Sequence, residues 1–177
     1  DNGKLISAGK GKAISKDNDL EINADRFEYD DDLKILKTFG NGYLRINSKN
    51  LEANFDDSII DRKNFNIQAD GNVKIFDKKN KITLETENII YNQEENIIKS
   101  DIESRIKDEN KNDYKVDKFN YKINNNLLKV ENLIHKDIQG NILKTSVAFI
   151  NTDTNRLFGK DININLSNKS FNKENDP

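Results

Sequence analysis

A short motif occurs three times along this chain and constrains the fold more than any other feature of the sequence. Its copies read Asp25-x-Phe27-x-Tyr29, Glu87-x-Ile89-x-Tyr91 and Asp117-x-Phe119-x-Tyr121. In each copy a polar turn and an apolar pair follow the tyrosine, and a lysine then completes the unit (Lys37, Lys99 and Lys129). Tyrosine spacings of 62 and 30 residues indicate a unit of about 30 residues. A hairpin repeated at this period predicts a stacked β architecture, in which each unit buries its apolar face against the next.

Alternation of apolar and polar residues at period two extends beyond these copies. The longest runs are Leu36–Ile46 and Phe65–Ile75, and a weaker fourth copy is predicted through Thr145, Val147 and Phe149. Apolar residues at i, i+2 and i+4 form one face of a strand but no stripe on a helix. The only proline is the last residue, so it interrupts no ladder of hydrogen bonds. Short strands separated by polar turns predict an all-β antiparallel sandwich, barrel or jelly roll.

Composition alone leans toward disorder, because apolar residues make up 34% of the chain, the same share as charged residues, and the mean hydropathy is −0.89. The regular alternation and a net charge of only −2 favour a folded chain. We therefore expect a single domain over residues 1–167. Residues 168–177 carry one apolar side chain, Phe171, and are predicted to form a polar tail or a linker toward a following domain.

Charge and residue usage argue against several classes of function. Lysines alternate with carboxylates along the chain, so no basic face for nucleic acid is predicted. The absence of cysteine excludes thiolate metal sites, and the single histidine, His135, leaves no second imidazole for a nucleophile relay. The run Asp30-Asp31-Asp32 fits a solvated turn better than a cation site. We predict neither enzyme activity nor a cofactor or a bound metal.

Three segments resemble a known family of proteins. The segment Ile22-Asn23-Ala24-Asp25-x-Phe27-x-Tyr29, followed by Lys37-x-x-Gly40-x-Gly42, is similar to the OstA-like repeats of lipopolysaccharide-transport proteins. Residues Gln68–Ile75 resemble the glycine-centred half of the same repeat. Residues Gly159–Ile164 with Asn175–Pro177 resemble the exit from the periplasmic domain of the lipopolysaccharide-assembly protein LptD. Within this OstA-like or LptA-like superfamily, the resemblance favours the N-terminal periplasmic domain of LptD over the soluble carrier LptA.

The resemblance implies an open, twisted antiparallel β-jelly roll whose apolar interior holds the lipid A acyl chains of lipopolysaccharide. It also implies a periplasmic location, with attachment to the outer membrane in the full-length protein. Such a domain receives lipopolysaccharide from an LptA-like bridge protein by edge-strand pairing. It then delivers the lipid to a C-terminal outer-membrane barrel and the lipoprotein partner of that barrel. Family members often tether this domain to the barrel through disulfides, which residues 1–177 cannot supply because they contain no cysteine.

Two sets of residues carry these expectations. The ends of an open roll expose unpaired backbone groups that another strand can complete. Small residues alternate near the N-terminus, where we predict the partner edge strand at Leu5, Ser7, Gly9, Gly11 and Ala13, and the opposite edge at Ile162–Leu166. The inward, lipid-binding face is predicted to comprise Phe27, Tyr29, Leu36, Leu44, Ile46, Phe65, Ile67, Val73, Ile75, Ile82, Leu84, Tyr91, Ile98, Phe119, Tyr121, Val130 and Phe149.

Three alternatives remain open on sequence grounds. The first is a free-standing periplasmic bridge protein of the same superfamily, which oligomerises end to end. A structural β-solenoid that carries no lipid also fits, because an inward aromatic side chain is more often plain core than a lipid contact. A polysaccharide-active enzyme requires two carboxylates that face one groove, and no recognisable pair is present in the sequence.

Overall fold

Sixteen β-strands account for nearly all of the regular structure in the described part of the chain. The structure is a computed structural model that describes residues 5–64 and 66–167, with side chains from residue 8 onward. Predictions about Phe65 and about the tail at 168–177 lie outside the described residues. The two short 3₁₀ helices are Asn47–Lys49 and Ile123–Asn125. The strands are β1 Leu5–Ala8, β2 Gly11–Ile14, β3 Leu20–Ala24, β4 Arg26–Asp30, β5 Ile35–Ile46, β6 Leu51–Asp61, β7 Asn66–Asp77, β8 Ile82–Asn92, β9 Ile97–Ser100, β10 Ser104–Lys107, β11 Asp113–Val116, β12 Lys118–Lys122, β13 Leu127–Lys136, β14 Ile142–Asn151, β15 Arg156–Lys160 and β16 Asn163–Asn165.

All strand pairs are antiparallel, and the sheet folds over on itself to form two layers. Layer A has the order β1-β4-β5-β6-β7-β8-β9-β12-β13-β14-β15. Layer B has the order β2-β3-β5-β6-β7-β8-β10-β11-β13-β14-β16. Each long strand contributes one half to each layer. The predicted all-β jelly roll is therefore confirmed.

The bend between the layers follows a line of left-handed backbone positions. Gly40 and Asn41 bend β5, Gly71 and Asn72 bend β7, and Asn132 bends β13, all with positive φ. Glycine and asparagine tolerate this conformation, which other residues adopt only with strain. The strand register shifts at the first two of these bends. The corner is therefore encoded by residue type at regular intervals.

Carboxylates fix the same corners. The side-chain amide of Asn41 donates to Asp25 at 2.5 Å, and that of Asn132 donates to Asp117 at 2.8 Å. These are the acidic residues that open two copies of the repeated motif. The alternation Leu20-x-Ile22-x-Ala24 continues one position out of phase at Phe27-x-Tyr29, because the chain passes at Asp25 from β3 in layer B to β4 in layer A.

Corners also explain three strands that sequence alternation predicted as continuous. The sequence alternation alone predicts one strand over Ile98–Ile106 and one over Tyr114–Tyr121, but each is divided into one segment per layer, as is the segment Leu5–Ser15, which forms β1 and β2. The predicted single N-terminal edge strand is therefore wrong in one respect. Leu5 and Ser7 lie on the edge of layer A, while Gly11 and Ala13 lie on the edge of layer B, and Gly9 lies in the bend between them.

One repeat unit is a pair of consecutive strands, each of which crosses both layers. Each motif tyrosine pairs with the second residue of the predicted apolar pair, as Tyr29 with Leu36, Tyr91 with Ile98 and Tyr121 with Leu128. Ile60 and Ile150 occupy the same position in the two units that lack tyrosine, pairing with Ile67 and Leu157. The predicted period of about 30 residues therefore runs through the whole sheet.

The predicted fourth copy of the motif is one residue out of register with the inward face at Phe149. Phe149 lies on the outer face of layer A and is 41% exposed, while its neighbours Ala148 and Ile150 are buried. Thr145 is also buried, so the inward face changes phase between residues 145 and 148. That change accompanies the corner at Asn132 on the paired strand, which a strict period of two cannot reveal. Phe149 is accordingly not an interior residue.

Candidate functional site

A continuous apolar interior runs between the two layers. It is built from the inward residues of every long strand, because the layers face each other and alternate side chains meet between them. Tyr29 and Leu36 also point inward but are half-buried, since they lie near one end of the roll. The other predicted inward residues that the structure describes, apart from Phe149, are buried, namely Phe27, Leu44, Ile46, Ile67, Val73, Ile75, Ile82, Leu84, Tyr91, Ile98, Phe119, Tyr121 and Val130.

Several residues of this interior lie outside the predicted set. Phe55 is 4% exposed and lies against Gly42, whose missing side chain provides the space for the phenylalanine ring. The alternation Leu51-x-Ala53-x-Phe55 is the signal that could have identified it. Other buried apolar residues outside the predicted set are Ile22, Ile60, Ile89, Ile106, Val116, Ile123, Leu128, Leu133 and Ile150.

The middle of the interior is filled by side chains. A cavity of only about 20 Å³ lies there, lined by apolar residues that include Leu44, Phe55, Ile67 and Tyr91. This volume is close to the minimum for one water molecule. A larger apolar guest can occupy the middle only if the two layers move apart.

The hairpin turns form two facing rims along the roll. We define lip A as the turns at 31–34, 62–64, 93–96, 123–126 and 152–155, and lip B as those at 15–19, 47–50, 78–81, 108–112 and 137–141. Neighbouring turns on one lip are tied by backbone hydrogen bonds, such as Arg62 N to Lys34 O at 3.1 Å and Lys78 N to Asn50 O at 3.0 Å. The turns of each lip are therefore held in a row by hydrogen bonds. The line where the two lips face each other is called the seam.

A buried polar cluster closes the seam near its centre. Tyr121 donates its hydroxyl hydrogen to Asp77 at 2.5 Å, and Asn80 on lip B donates to the Tyr121 hydroxyl at 2.9 Å and to Asn126 on lip A at 3.2 Å. Thr152 contacts the same hydroxyl at 3.3 Å. Asp77 is 2% exposed, and its carboxylate also accepts hydrogen bonds from the backbone and side-chain nitrogens of Asn80 at 2.9 and 2.8 Å, which it needs because a buried charge without hydrogen bonds is costly. The cluster therefore joins the lips across the seam.

Burial of these groups shifts the titration of the tyrosine. Removal of Tyr121 from water, together with its hydrogen bond to Asp77, raises the pKa of its phenol above the ordinary value. Both causes disfavour the charged phenolate. Tyr121 thus stays neutral and able to donate over the physiological range.

A second contact joins the lips closer to the N-terminal end. The Lys49 ammonium group on lip B donates to the Asn124 side chain on lip A at 3.0 Å. A cleft of about 330 Å³ lies beside it, lined by Tyr91 of β8 and Asn96 of lip A on one side and by Asp19 of lip B on the other. Burial raises the pKa of Tyr91 to about 12. The seam is therefore partly open toward the N-terminal end and closed at its centre.

The two layers separate at the N-terminal end, which we call the N-terminal mouth. Its cleft has a volume of about 660 Å³ and is lined by Leu20 and Ile22 from layer B and by Leu36 and Ile60 from layer A, with Tyr29 and Arg62 at the rim. Volumes of about 300–1,000 Å³ are typical of ligand pockets. This cleft opens onto the apolar interior between the two layers.

The C-terminal end of the interior is also open. Ile164 lies opposite the inward Leu143 on the neighbouring strand, yet it is 57% exposed. Ile162 and Leu166 share its side of the chain and are likewise exposed. The predicted far edge at Ile162–Leu166 is thus an edge strand with an uncovered apolar face.

Unpaired strand edges accompany both ends of the roll. Within the described residues, β1 and β2 each pair with one strand at the N-terminal end, and β15 and β16 each pair only with β14 at the C-terminal end. Two strand edges therefore lie at each end of the roll, and pairing of the N-terminal edge with a partner strand stays a prediction. Exposed edges of this kind can pair with strands of another chain.

Buried hydroxyl groups line the interior near the corners. Thr38 and Ser58 share a hydrogen bond of 2.8 Å, and Thr86 contacts Ser100 at 3.2 Å and Ser104 at 3.0 Å. No buried side-chain nitrogen or oxygen in the described part of the chain lacks a partner. These groups satisfy one another, so they form a structural belt.

Few of the described residues are suited to catalysis or to metal binding. His135 stacks on Tyr114 inside the roll, with ring centroids 4.4 Å apart, so it lies inward near the end of β13. Between residues 5 and 167, leaving out Phe65, no group of three or more potential metal ligands is present. None of the described helices is long and apolar enough to cross a membrane.

Comparison with known proteins shows a similarity in fold. No family model matches this chain, and no curated protein matches its sequence. A solved structure that matches is that of LptH from Pseudomonas aeruginosa, the LptA-homologous periplasmic component of a lipopolysaccharide transport device. The two chains are 12% identical, the match covers 68% of this chain and 96% of LptH, and the TM-score is 0.58. The chain therefore has an LptA-like β-jelly-roll fold.

Proposed function

We propose that this protein is a periplasmic lipid-transport domain that binds lipopolysaccharide between its two layers. The observation that carries the proposal is an apolar interior that runs the length of the roll and is open at both ends. The LptA-like fold supports it, as do the OstA-like repeats. The proposal includes binding of lipid acyl chains by this interior and no catalytic activity.

The energetics of lipid transfer favour an apolar conduit over a few polar contacts. Burial of one methylene group is worth about 0.8 kcal/mol, so an acyl chain of about a dozen carbons gains roughly 10 kcal/mol on leaving water. A lipid with several chains therefore needs continuous shielding between two membranes. Stacked aliphatic and aromatic residues supply that shielding along the whole length of the roll.

The unpaired edges suggest how the domain is placed in a transport chain. We propose that β1 and β2 accept a strand of an LptA-like bridge protein, and that the C-terminal edges β15 and β16 face the next component. If the domain belongs to an LptD protein, that component is the outer-membrane barrel with its lipoprotein partner. If the domain is a bridge protein, that component is another periplasmic jelly roll. The full-length chain distinguishes the two readings, since a barrel requires several hundred further residues of amphipathic strands.

A pair of substitutions at the N-terminal mouth tests lipid binding. Leu36 is half-buried on the inner face, while Leu33, on the adjacent turn of lip A, is 60% exposed. We expect Leu36→Asp to abolish displacement of a fluorescent fatty acid by lipopolysaccharide, because it places a charge on the apolar floor. Leu33→Asp should bind like the wild type. Circular dichroism of both variants verifies that they fold.

One observation favours a second function, that of a structural scaffold. The middle of the interior is filled by side chains, with a cavity of only about 20 Å³. A scaffold predicts that purified wild-type protein binds no lipopolysaccharide and that Leu36→Asp changes stability alone. That result would replace the transport proposal.

A further inference from the structure

The N-terminal mouth combines an apolar floor with a cationic rim. The floor consists of Leu20 and Ile22 from one layer and Leu36 and Ile60 from the other. Arg62 on lip A and Lys16 on lip B stand at the two sides of the opening. Such an arrangement is complementary to an amphiphile with an anionic headgroup, whose chain lies on the floor and whose charge stays at the rim.

Arg62 is held in a defined position at this rim. Its backbone N–H donates to Lys34 O at 3.1 Å, and one guanidinium nitrogen donates to the Tyr29 hydroxyl at 3.2 Å. The guanidinium carbon lies 5.9 Å from the centroid of the Tyr29 ring, within the range of a cation–π interaction. Among the residues that the structure describes, no carboxylate forms an ion pair with Arg62. Most of the five donor hydrogens of the guanidinium therefore remain available.

Two carboxylates near the rim, those of Asp17 and Asp31, have partners of their own. Asp17 accepts hydrogen bonds from the Ser15 hydroxyl and from the Asp19 backbone N–H, and the first of these contributes most to lowering its pKa. Asp31 accepts a hydrogen bond from the Tyr29 hydroxyl at 3.2 Å and forms an ion pair with the Lys34 ammonium group at 2.7 Å. Among the charged residues that line the mouth, Lys16 and Arg62 are cationic and Asp17 is anionic, so the two cations outnumber the one anion.

We propose that this rim is a phosphate subsite for a phosphorylated lipid, in which Arg62 binds the headgroup phosphate while an acyl chain occupies the floor. The subsite rests on the proposed lipid-transport function and specifies where the headgroup is recognised. A planar guanidinium can donate two parallel hydrogen bonds to a phosphate, which a lysine cannot do. Tyr29 orients the guanidinium from below, and Lys16 adds charge from the opposite lip.

Two lipids and three variants test the subsite. The probes are diphosphoryl lipid A and the same lipid after removal of its phosphates, each titrated by displacement of a fluorescent fatty acid. Arg62→Gln should weaken binding of the phosphorylated lipid by about tenfold, the effect of losing a charge-assisted hydrogen bond, and leave the dephosphorylated lipid unchanged. Arg62→Lys should give an intermediate loss. Lys63→Gln, the adjacent exposed cation on the same turn, should bind both lipids like the wild type.

Each contrary outcome has a distinct meaning. Equal binding of the two lipids by the wild type, unchanged in Arg62→Gln, overturns the phosphate subsite while the transport proposal stands. An equal loss in Lys63→Gln and Arg62→Gln also overturns it, since general charge attraction then explains the binding. If the wild-type protein binds neither lipid, the transport proposal fails, and the subsite fails with it. Inorganic phosphate at millimolar concentration should not displace the lipid, because it lacks the acyl chain that fills the floor.

Discussion

The three motif tyrosines occupy equivalent positions in the repeat but have different environments. Tyr29 lies half-buried at the N-terminal mouth beneath Arg62, Tyr91 faces the seam, and Tyr121 is buried against Asp77. The sequence predicts that each is an inward residue beside a hairpin. It cannot predict which one joins the two lips, because that depends on the twist that sets lip A opposite lip B. Tyr121 is therefore distinguished by tertiary structure alone.

The buried phenol of Tyr121 should make stability depend on pH in the alkaline range. Its pKa is raised in the folded state by burial and by Asp77, so above about pH 10 the unfolded chain loses protons that the folded chain retains. Stability contributed by this group is present below about pH 10 and falls above it by up to about 1.4 kcal/mol per pH unit. We expect urea unfolding between pH 8 and 11.5 to show a smaller alkaline loss for Tyr121→Phe. An identical slope in both proteins would contradict this assignment.

At the scale of the element, the positions of the corners determine which part of each strand belongs to which layer. The acidic residues of the motif were visible in the sequence, but their role in receiving an asparagine side chain across the corner was not. The reason is that Asp25 and Asn41 are 16 residues apart in the sequence and meet only when β3 and β4 pair with β5. Period-two alternation predicted the strands well and missed the points where they divide. The misplaced Phe149 has the same origin.

The corner at Asn72 gives a test of this role. Asn72 has φ 48°, and its side chain donates to Asp56 at 2.8 Å. Both Asn72→Gly and Asn72→Ala lose this bond, but alanine also adopts a strained left-handed conformation. We expect Asn72→Ala to lower the free energy of unfolding by about 1 kcal/mol more than Asn72→Gly.

A matched control lies on the neighbouring strand. Asn54 is exposed and pairs with Tyr43 and Lys74 on the neighbouring strands, just before the register shift of β6, so Asn54→Ala should change the unfolding free energy by no more than about 0.5 kcal/mol. Equal destabilisation by Asn72→Ala and Asn72→Gly in chemical denaturation would show that backbone conformation does not govern the corner.

At the scale of the whole molecule, a filled middle lies between two open ends. Passage of a lipid from the N-terminal mouth to the C-terminal end therefore requires the layers to separate along the seam. Lip-to-lip contacts, including that of Lys49 with Asn124, must break in this movement. The repeat and the apolar pattern predicted a long shared interior. They could not predict that the lips touch, since no local pattern records contacts between distant turns.

Covalent closure of the seam tests whether opening is needed. The chain has no cysteine, so Lys49→Cys with Asn124→Cys can be joined selectively by a short bis-maleimide. We expect the cross-linked protein to bind lipid at the mouth but to transfer it to acceptor vesicles only at the background rate. The same variant treated with a monofunctional maleimide should transfer normally. Normal transfer after cross-linking would mean that lipid follows another route.

Site-specific photocrosslinking tests the central claim most directly. A photoreactive phenylalanine analogue replaces the buried Phe119 in one variant and Phe158, which is 64% exposed on the outer face, in the other. Both variants are expressed in the periplasm of a lipopolysaccharide-producing cell. If the interior is the lipid path, a lipopolysaccharide adduct forms at position 119 and not at position 158. Adducts at position 158 alone, or at neither position in a folded protein, would contradict the claim and identify the interior as ordinary core.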